Sequence, residues 1–382
     1  MKEEMMSSKE RVWTAISLEK PDRVPIAILC TAAPIARLNN ISTVDFYKGD
    51  NGYHAIMKVF NEVGGWDMDM GSVWFDGLKA AKAAITLSLG TKLLFPGLEL
   101  PDNYQHQVDE KEYIKPEDYD TIIDIGWHKF MLEDYIFRLV DITKKELNKA
   151  LGAAMPALIK AKKEWGDRGM ESLYPPHSFV LHPFFRLSTG RSMIKFMEDI
   201  YYNPEKAATA MQVMTEEFIR NTINGCAAFN TKIAFIAEER ASTTFFSPKI
   251  FEKYWWPYTE QIVNAFWDKE IVTWFHLDTS WDGNFKYFKK LPRGSAVLAL
   301  DGTSNIFHAK KILNDHLCLA GDVQAALLSV GTPAEVEAYC KKLINEIGGN
   351  GGYILSSGCE IPEAVKMENL KAMIQTGKTY KL

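Results

Sequence analysis

Cysteine is scarce in this chain. Five residues of 382, at irregular intervals, offer no evenly numbered and regularly spaced set from which a disulfide framework is built. A surplus of positive charge is also missing: 44 Lys and Arg stand against 49 Asp and Glu, a net charge of −5. Nucleic-acid binding draws on clustered cations to neutralise phosphates, so no nucleic-acid partner is expected. No apolar run approaches the roughly 20 residues that carry a helix across a bilayer. The opening Met1-Lys2-Glu3-Glu4-Met5-Met6 leads into no apolar stretch of a secretory signal. The expectation is a cytoplasmic protein with no membrane partner. A glycine-rich phosphate loop is lacking too, because the glycines of 348–352 have neither a downstream Lys-Ser/Thr nor a strand–turn–helix setting. That speaks against ATP and dinucleotides as cofactors.

What the chain does have is alternation. Short apolar or β-branched runs at 24–29, 66–70, 179–182, 233–237, 271–276, 296–300, 317–320 and 353–356 alternate with longer stretches of helical period. Eight such units predict an α/β fold, a (β/α)8 TIM barrel with parallel strands. With 47% hydrophobic residues the chain can bury a large core, and one domain over 1–382 is the simplest reading. Two helices have legible starts: Ser247-Pro248 opens 249–267, and Thr332-Pro333 opens 334–347, with proline in the first turn where its missing N–H costs nothing. In the latter, Val336, Tyr339, Cys340, Leu343 and Ile344 form an apolar stripe that places Cys340 in the core. Cys30, Cys226 and Cys318 also fall in apolar stretches and are read as core.

The region from about 102 to 165 fits the alternation least. A proline-punctuated acidic loop precedes a helical stretch over 132–165, expected to break at Pro156. An insertion there, between the second and third strands, would lid the barrel mouth or offer a partner surface.

Chemistry concentrates at the carboxyl ends of the later strands, where barrel active sites lie. Glu238 and Glu239, His276 and Asp278, Asp301, Asp322 and Cys359 all follow apolar runs. Zinc asks for three protein ligands from N, S and O donors plus one open position. His276 and Cys359 supply an imidazole and a thiol, and the third ligand falls to Glu239, Glu238 or Asp278. For Asp322, a helix N-cap role competes with a role at the site. Five adjacent aromatic pairs, among them Trp74-Phe75 and Trp274-Phe275, are able to wall a pocket for a flat apolar substrate. His177 and His182 bracket the third expected strand, and His182-Pro183-Phe184-Phe185-Arg186 would place an imidazole, rings and a charge near the mouth. Trp74, His182 and Asp301 are therefore the expected substrate-binding residues; the remaining catalytic roles stay unassigned.

Several stretches resemble the uroporphyrinogen decarboxylase-like superfamily. They are Glu19-Lys20-Pro21-Asp22-Arg23-Val24-Pro25, Ser247-Pro248-Lys249-Ile250-Phe251-Glu252 with Trp256-Pro257-Tyr258, and Gly321-Asp322-Val323 before Gly331-Thr332-Pro333. The ending Gly352-Tyr353-Ile354-Leu355-Ser356-Ser357-Gly358-Cys359 with Glu368-Asn369-Leu370 completes the likeness. The resemblance implies the same barrel and one of two activities. Decarboxylases of the superfamily grip a tetrapyrrole's carboxylates with an arginine-rich Met-Arg-Gln-Ala-Gly-Arg-Tyr, where this chain has Cys30-Thr31-Ala32-Ala33-Pro34 and only Arg37 nearby. The other branch comprises zinc-dependent methyltransferases that exchange methyl groups with corrinoid proteins through a His-x-Cys and a distant Cys. Here the pattern reads His276-Leu277-Asp278 with Cys359. One thiolate fewer leaves a harder metal, better suited to polarising an ether or hydroxyl oxygen. The resemblance thus implies a zinc methyltransferase working with a corrinoid carried by a partner protein, and the aromatic pairs and oxygen-rich site add the expectation that its donor is a methoxylated aromatic that undergoes O-demethylation. A decarboxylase or lyase of a small acid or of uroporphyrinogen, and a non-catalytic corrinoid-binding accessory protein, are the alternatives.

Overall fold

A computed structural model describes residues 5–173 and 181–380. Eight strands form one parallel sheet: β1 (Ile26–Ile28), β2 (Met68–Asp69), β3 (Glu171–Ser172), β4 (Ile233–Glu238), β5 (Val272–Leu277), β6 (Ala296–Leu300), β7 (Cys318–Val323) and β8 (Tyr353–Ser357). Their spatial order is β3-β2-β1-β8-β7-β6-β5-β4, so the first strand pairs with the last, Ile26 facing Leu355. Sequential neighbours with the first strand joined to the last are the topology of a (β/α)8 barrel.

The alternation of side chains along the strands makes two apolar layers. Ala27, Met68, Phe235, Trp274, Val297, Ala320 and Ile354 fill the interior, while Ile26, Ile236, Phe275, Leu298 and Leu355 pack outward under the helices. Both faces are dry, which is why these strands read as near-continuous apolar runs. The first helix, Ser8–Ile16, closes the bottom by putting Val12, Ala15 and Ile16 into the interior layer. Its start is a reciprocal cap between Ser7 and Glu10.

Seven expected strands lie where the apolar runs place them; the third does not. Residues 179 and 180 of the expected 179–182 lie outside the described residues, and its end, Leu181 and His182, leads into the helix Pro183–Gly190. The third strand is instead the pair Glu171–Ser172, held by ladder contacts of Met68 with Glu171 and Asp69 with Ser172. Pro156 does not break its helix, which runs from Lys144 to Asp167. An interior proline costs about 3 kcal/mol, and burial of Leu147, Ala150 and Ala154 before it and Leu158, Ala161 and Trp165 after it holds both halves in line. The stretch expected as one helix over 249–267 is two, Pro248–Tyr254 and Trp256–Trp267, with a turn at Trp255, because Pro257 has no N–H to carry the hydrogen-bond ladder through. The helix Pro333–Glu346 starts at Thr332 as the sequence signals, with Glu335 completing the cap.

The insertion between β2 and β3 holds a short antiparallel ribbon, Leu93–Leu94 with Gln107–Val108, and the helices that follow it. No helix among the described residues is long and apolar enough to cross a membrane.

Candidate metal centre

Period-two alternation aims the site's imidazole. Val272 and Trp274 of β5 face the barrel interior, so His276 continues the inward row at the mouth end of the same strand. It pairs in register with Ala237 of β4 and Ala299 of β6, and its ring stacks on Phe235 at 5.8 Å. The chain then leaves the sheet, and Asp278 follows at once, its N–H donating to the Glu238 carbonyl at 3.2 Å. Cys359 arrives from β8: Gly358 N–H donates to the Val323 carbonyl, and Ile361 N–H to that of Leu29, pinning this turn between β7 and β1. Ser357 Oγ donates to the Cys359 carbonyl at 2.6 Å.

These placements bring three donors together. His276 Nε2 is 3.3 Å from Cys359 Sγ and 3.3 Å from Asp278 Oδ1, and Sγ is 3.9 Å from Asp278 Oδ2. A tetrahedral zinc with nitrogen at about 2.0–2.1 Å and sulfur at about 2.3 Å separates its donors by roughly 3.3–3.6 Å. The trio is therefore close to a metal-ready spacing. Asp278 Oδ1 is buried without a hydrogen bond, a condition that a cation would relieve. The trio's internal electrostatics say the same: burial alone would push His276 towards its neutral form, but Asp278 and Cys359 beside it raise its pKa well above the usual imidazole value. Burial would likewise raise Asp278, and the imidazole outweighs it and holds the carboxyl below the usual range. One proton serves where a cation fits.

The other expected ligands are engaged differently. Glu239 is half-buried with its carboxylate 3.5 Å from Arg240 Nε, and it stands outside the trio. Glu238 has the outward parity of β4 and is sealed under the helices, accepting from Trp255 Nε1 at 2.8 Å and from the Arg240 and Ala241 N–H groups. Burial pushes it up to about 7.

Of the three expected substrate-binding residues, none meets open space with a free polar group. Trp74 is buried against Tyr53, 5.2 Å between rings. His182 is fully buried and caps the helix Pro183–Gly190, its Nδ1 accepting from Phe184 N–H at 3.1 Å, with Thr259 Oγ1 on its other nitrogen. Burial pushes its pKa down to about 3, so it stays neutral. Asp301 is a turn-builder that accepts from Thr279, and from the N–H and hydroxyl of Thr303. By holding Thr279 it positions the loop that carries Asp278. Asp322 accepts from the Tyr339 hydroxyl at 2.8 Å. His177 lies outside the described residues. The four cysteines read as core are all buried.

One residue on from Cys359, Glu360 lines a cavity of about 540 Å3 whose walls do not include the trio itself. Its floor comes from the turns after β1, β2 and β8, including Cys30, Ser72 and Glu360, the neighbour of Cys359. Its roof comes in part from the insertion, with Trp127, Met131 and Leu158. Glu360, raised above the usual carboxylate range by burial first of all, and Arg186 are polar groups on otherwise mostly apolar walls. Glu360 was legible only as the residue after Cys359; the roof has no sequence signature.

Gly358 allows the Cys359 turn to pass the backbone of Asp301, where a Cβ would collide with the Asp301 carbonyl. Backbone cannot yield as a side-chain tip can, so Gly358→Ala should cost about 1–3 kcal/mol. It should also weaken metal retention about tenfold or more by shifting the thiolate. Chelator competition on the purified protein checks this; unchanged retention would mean the turn tolerates the shift.

The family model described as uroporphyrinogen decarboxylase (URO-D) matches residues 183–380. Methylcobamide:CoM methyltransferase MtbA of Methanosarcina mazei is 25% identical over 177 residues, 44% of this chain and 50% of that protein. The uroporphyrinogen decarboxylase of Christiangramia forsetii is 23% identical over 264 residues, 65% of each chain. That of Trichlorobacter lovleyi is 30% identical over 128 residues, 34% of this chain and 36% of the other. The chain thus spans between about a third and two thirds of these relatives' length in the matched regions. A solved structure described as a methyltransferase from Methanosarcina mazei superposes over 98% of this chain and 99% of that one, with a TM-score of 0.67 and 16% identity, a likeness of fold.

Proposed function

The chain belongs to the uroporphyrinogen decarboxylase (URO-D) family, and from that premise we propose that it is a zinc-dependent methyltransferase that moves a methyl group from a methoxylated aromatic to the cobalt of a corrinoid protein. The observation that carries the reading is the trio of His276, Asp278 and Cys359, an N, O and S donor set at the mouth, with a mostly apolar cavity reached at Glu360. These three residues would hold zinc, leaving one position open. Zinc there supplies Lewis acidity to the ether oxygen of the donor. Similarity to a protein named methylcobamide:CoM methyltransferase favours methyl over carboxyl chemistry. Other relatives are named decarboxylases, and residues rather than names must separate the two.

The chain's own residues divide the work. The cavity walls exclude water and seat a flat apolar ring, and the insertion roofs the cavity in part. Asp301, through Thr279, keeps the Asp278 loop in place, and Gly358 lets Cys359 reach His276. Overall the aryl ether's O–CH3 bond breaks, the methyl group passes to cobalt(I), and the phenolate left behind takes a proton from solvent. A tetrapyrrole bearing a ring of carboxylates has little to hold it: Arg37, the arginine in the region where decarboxylases of the family carry two, is exposed on the helix Ala32–Leu38.

The test uses free cob(I)alamin with zinc-loaded protein and a panel of methoxybenzenes. Visible spectra should show methylated cobalamin appearing with an equal amount of free phenol. If no ether, amine or thiol donates a methyl group while uroporphyrinogen is converted to coproporphyrinogen, the protein is a decarboxylase.

A further inference from the structure

One residue at the mouth is held in a conformation that its side chain disfavours. Thr279, directly after Asp278, has a φ of 67°, in the left-handed region. Among the described non-glycine residues with positive φ it alone is β-branched, and for such a side chain this backbone is an outlier. Glycine would adopt it freely. Strain of this kind persists only where the surroundings over-determine it.

The surroundings do so from neighbouring strand ends. Thr279 N–H donates to Asp301 Oδ2 at 2.9 Å, in the turn after β6. Its hydroxyl donates to the Glu239 carbonyl at 2.9 Å and meets Ser242 Oγ at 2.7 Å, both in the turn after β4. Its carbonyl accepts from Ser304 Oγ at 3.0 Å. Every polar group of the residue is thus engaged. The Asp278 backbone is pinned alongside it, its N–H on the Glu238 carbonyl at 3.2 Å and its own carbonyl accepting from Trp281 Nε1 at 2.8 Å. The Asp278 side chain is the exception: Oδ1 stays buried without a hydrogen bond, 3.3 Å from His276 Nε2. A bare polar atom on a backbone fixed at both of its peptide groups is shaped for a partner that the chain itself does not supply.

We infer that Thr279 is a positioning residue for the metal: its left-handed backbone turns the Asp278 carboxylate onto His276, and its hydroxyl, which glycine would lack, ties that turn to the end of β4. The trio is thereby set for a small four-coordinate dication before one arrives. That this metal serves methyl transfer rests on the function proposed above; the role of Thr279 requires only the metal.

Wild type, Thr279→Gly and Thr279→Ser are compared in zinc affinity by chelator competition, in visible spectrum with cobalt(II) in place of zinc, and in melting without metal. Thr279→Gly frees the backbone and deletes the hydroxyl. It should bind zinc about 10- to 100-fold more weakly, the range for removing an outer partner of a metal ligand. Its cobalt(II) bands should weaken, because a loosened carboxylate admits solvent and a higher coordination number. It should melt within a few degrees of the wild type, since release of the strain offsets the lost hydrogen bonds. Thr279→Ser keeps the hydroxyl without the β-branch, so its zinc affinity and cobalt spectrum should match those of the wild type. Wild-type zinc affinity in Thr279→Gly, or a serine variant as weak as the glycine one, would overturn the inference. So would a wild type that binds no zinc, or a Thr279→Gly protein that melts far lower with its cobalt spectrum unchanged, the mark of a residue that serves the fold alone. The two readings fail separately. Zinc binding that depends on Thr279, with no methyl transfer to cob(I)alamin, removes the methyltransferase and leaves the role of Thr279 standing; methyl transfer and zinc affinity both undiminished in Thr279→Gly do the reverse.

Discussion

Zinc should be lost from the His276→Ala and Cys359→Ala proteins more than about 100-fold more readily than from the wild type, with methyl transfer lost alongside it. Removing even an outer partner of a metal ligand costs about 10- to 100-fold in affinity, and a direct ligand must exceed that. The two residues come from β5 and the turn after β8, so neither truncation lets a neighbour substitute: Nε2 and Sγ are each other's near contact at 3.3 Å. The informative comparison is between the two acids. Asp278 lies 3.3 Å from the imidazole, whereas Glu239 faces Arg240. Asp278→Ala should therefore cost far more zinc than Glu239→Ala. Elemental analysis after dialysis against a chelator gives the order. The reverse order would make Glu239 the third ligand, and unchanged metal content in all four variants would place any metal elsewhere. Because Asp278 would bring oxygen where the zinc methyltransferases this chain resembles have a second thiolate, a metal held there would be a harder Lewis acid, suited to an ether oxygen.

How far the sequence foretells this arrangement depends on what each residue's neighbours along the chain can reveal. His276 was legible because parity along a strand is a local property: Val272 and Trp274 point inward, hence so does His276. The same parity separates Glu238 from Glu239, one turned under the helices and the other toward the mouth. β3 escaped because two residues, Glu171 and Ser172, carry no apolar run, and the ladder to β2 alone makes them a strand. His182 drew attention as a strand-end histidine, yet the proline after it marks a helix start, and a buried cap is what it is. Asp301 stands at a strand end and spends its oxygens on turns. The cavity was not legible at all, since its roof and floor meet only in three dimensions. Arg186 lay in a stretch read as a source of charge near the mouth, but that its Nη1 is buried without a hydrogen bond is a property of the fold.

At the opposite end of the barrel, Asp67→Asn should destabilise the protein by about 3–5 kcal/mol at pH 7, the usual cost of removing one partner from a buried charge cluster. Asp67 sits just ahead of β2, and its carboxylate accepts from Arg11, from both terminal nitrogens of Arg23, from Ser8 Oγ and from Ile26 N–H. Arg11 also reaches Asp22, so two guanidinium groups are balanced by two carboxylates beneath the interior layer. Asparagine keeps the shape and leaves one cation uncompensated. The pH dependence follows from the sign of the shift. Burial would raise Asp67, but Arg23 and Arg11 outweigh it and hold its pKa below the unfolded value of about 3.9. A depressed carboxyl contributes its stability in full above the unfolded pKa and loses it as pH falls through the native one. Asp22, held near 2 against its own burial by Arg11, behaves alike. The gap between wild type and Asp67→Asn in urea unfolding should accordingly be constant well above the unfolded value of about 3.9 and shrink as pH falls below it towards the lower native value. A gap that widens on acidification, or one below about 1 kcal/mol at pH 7, would show that the cluster does not hold the barrel floor. Zinc affinity should be the same in both proteins, because residues at the amino ends of barrel strands carry stability while those at the carboxyl ends carry chemistry.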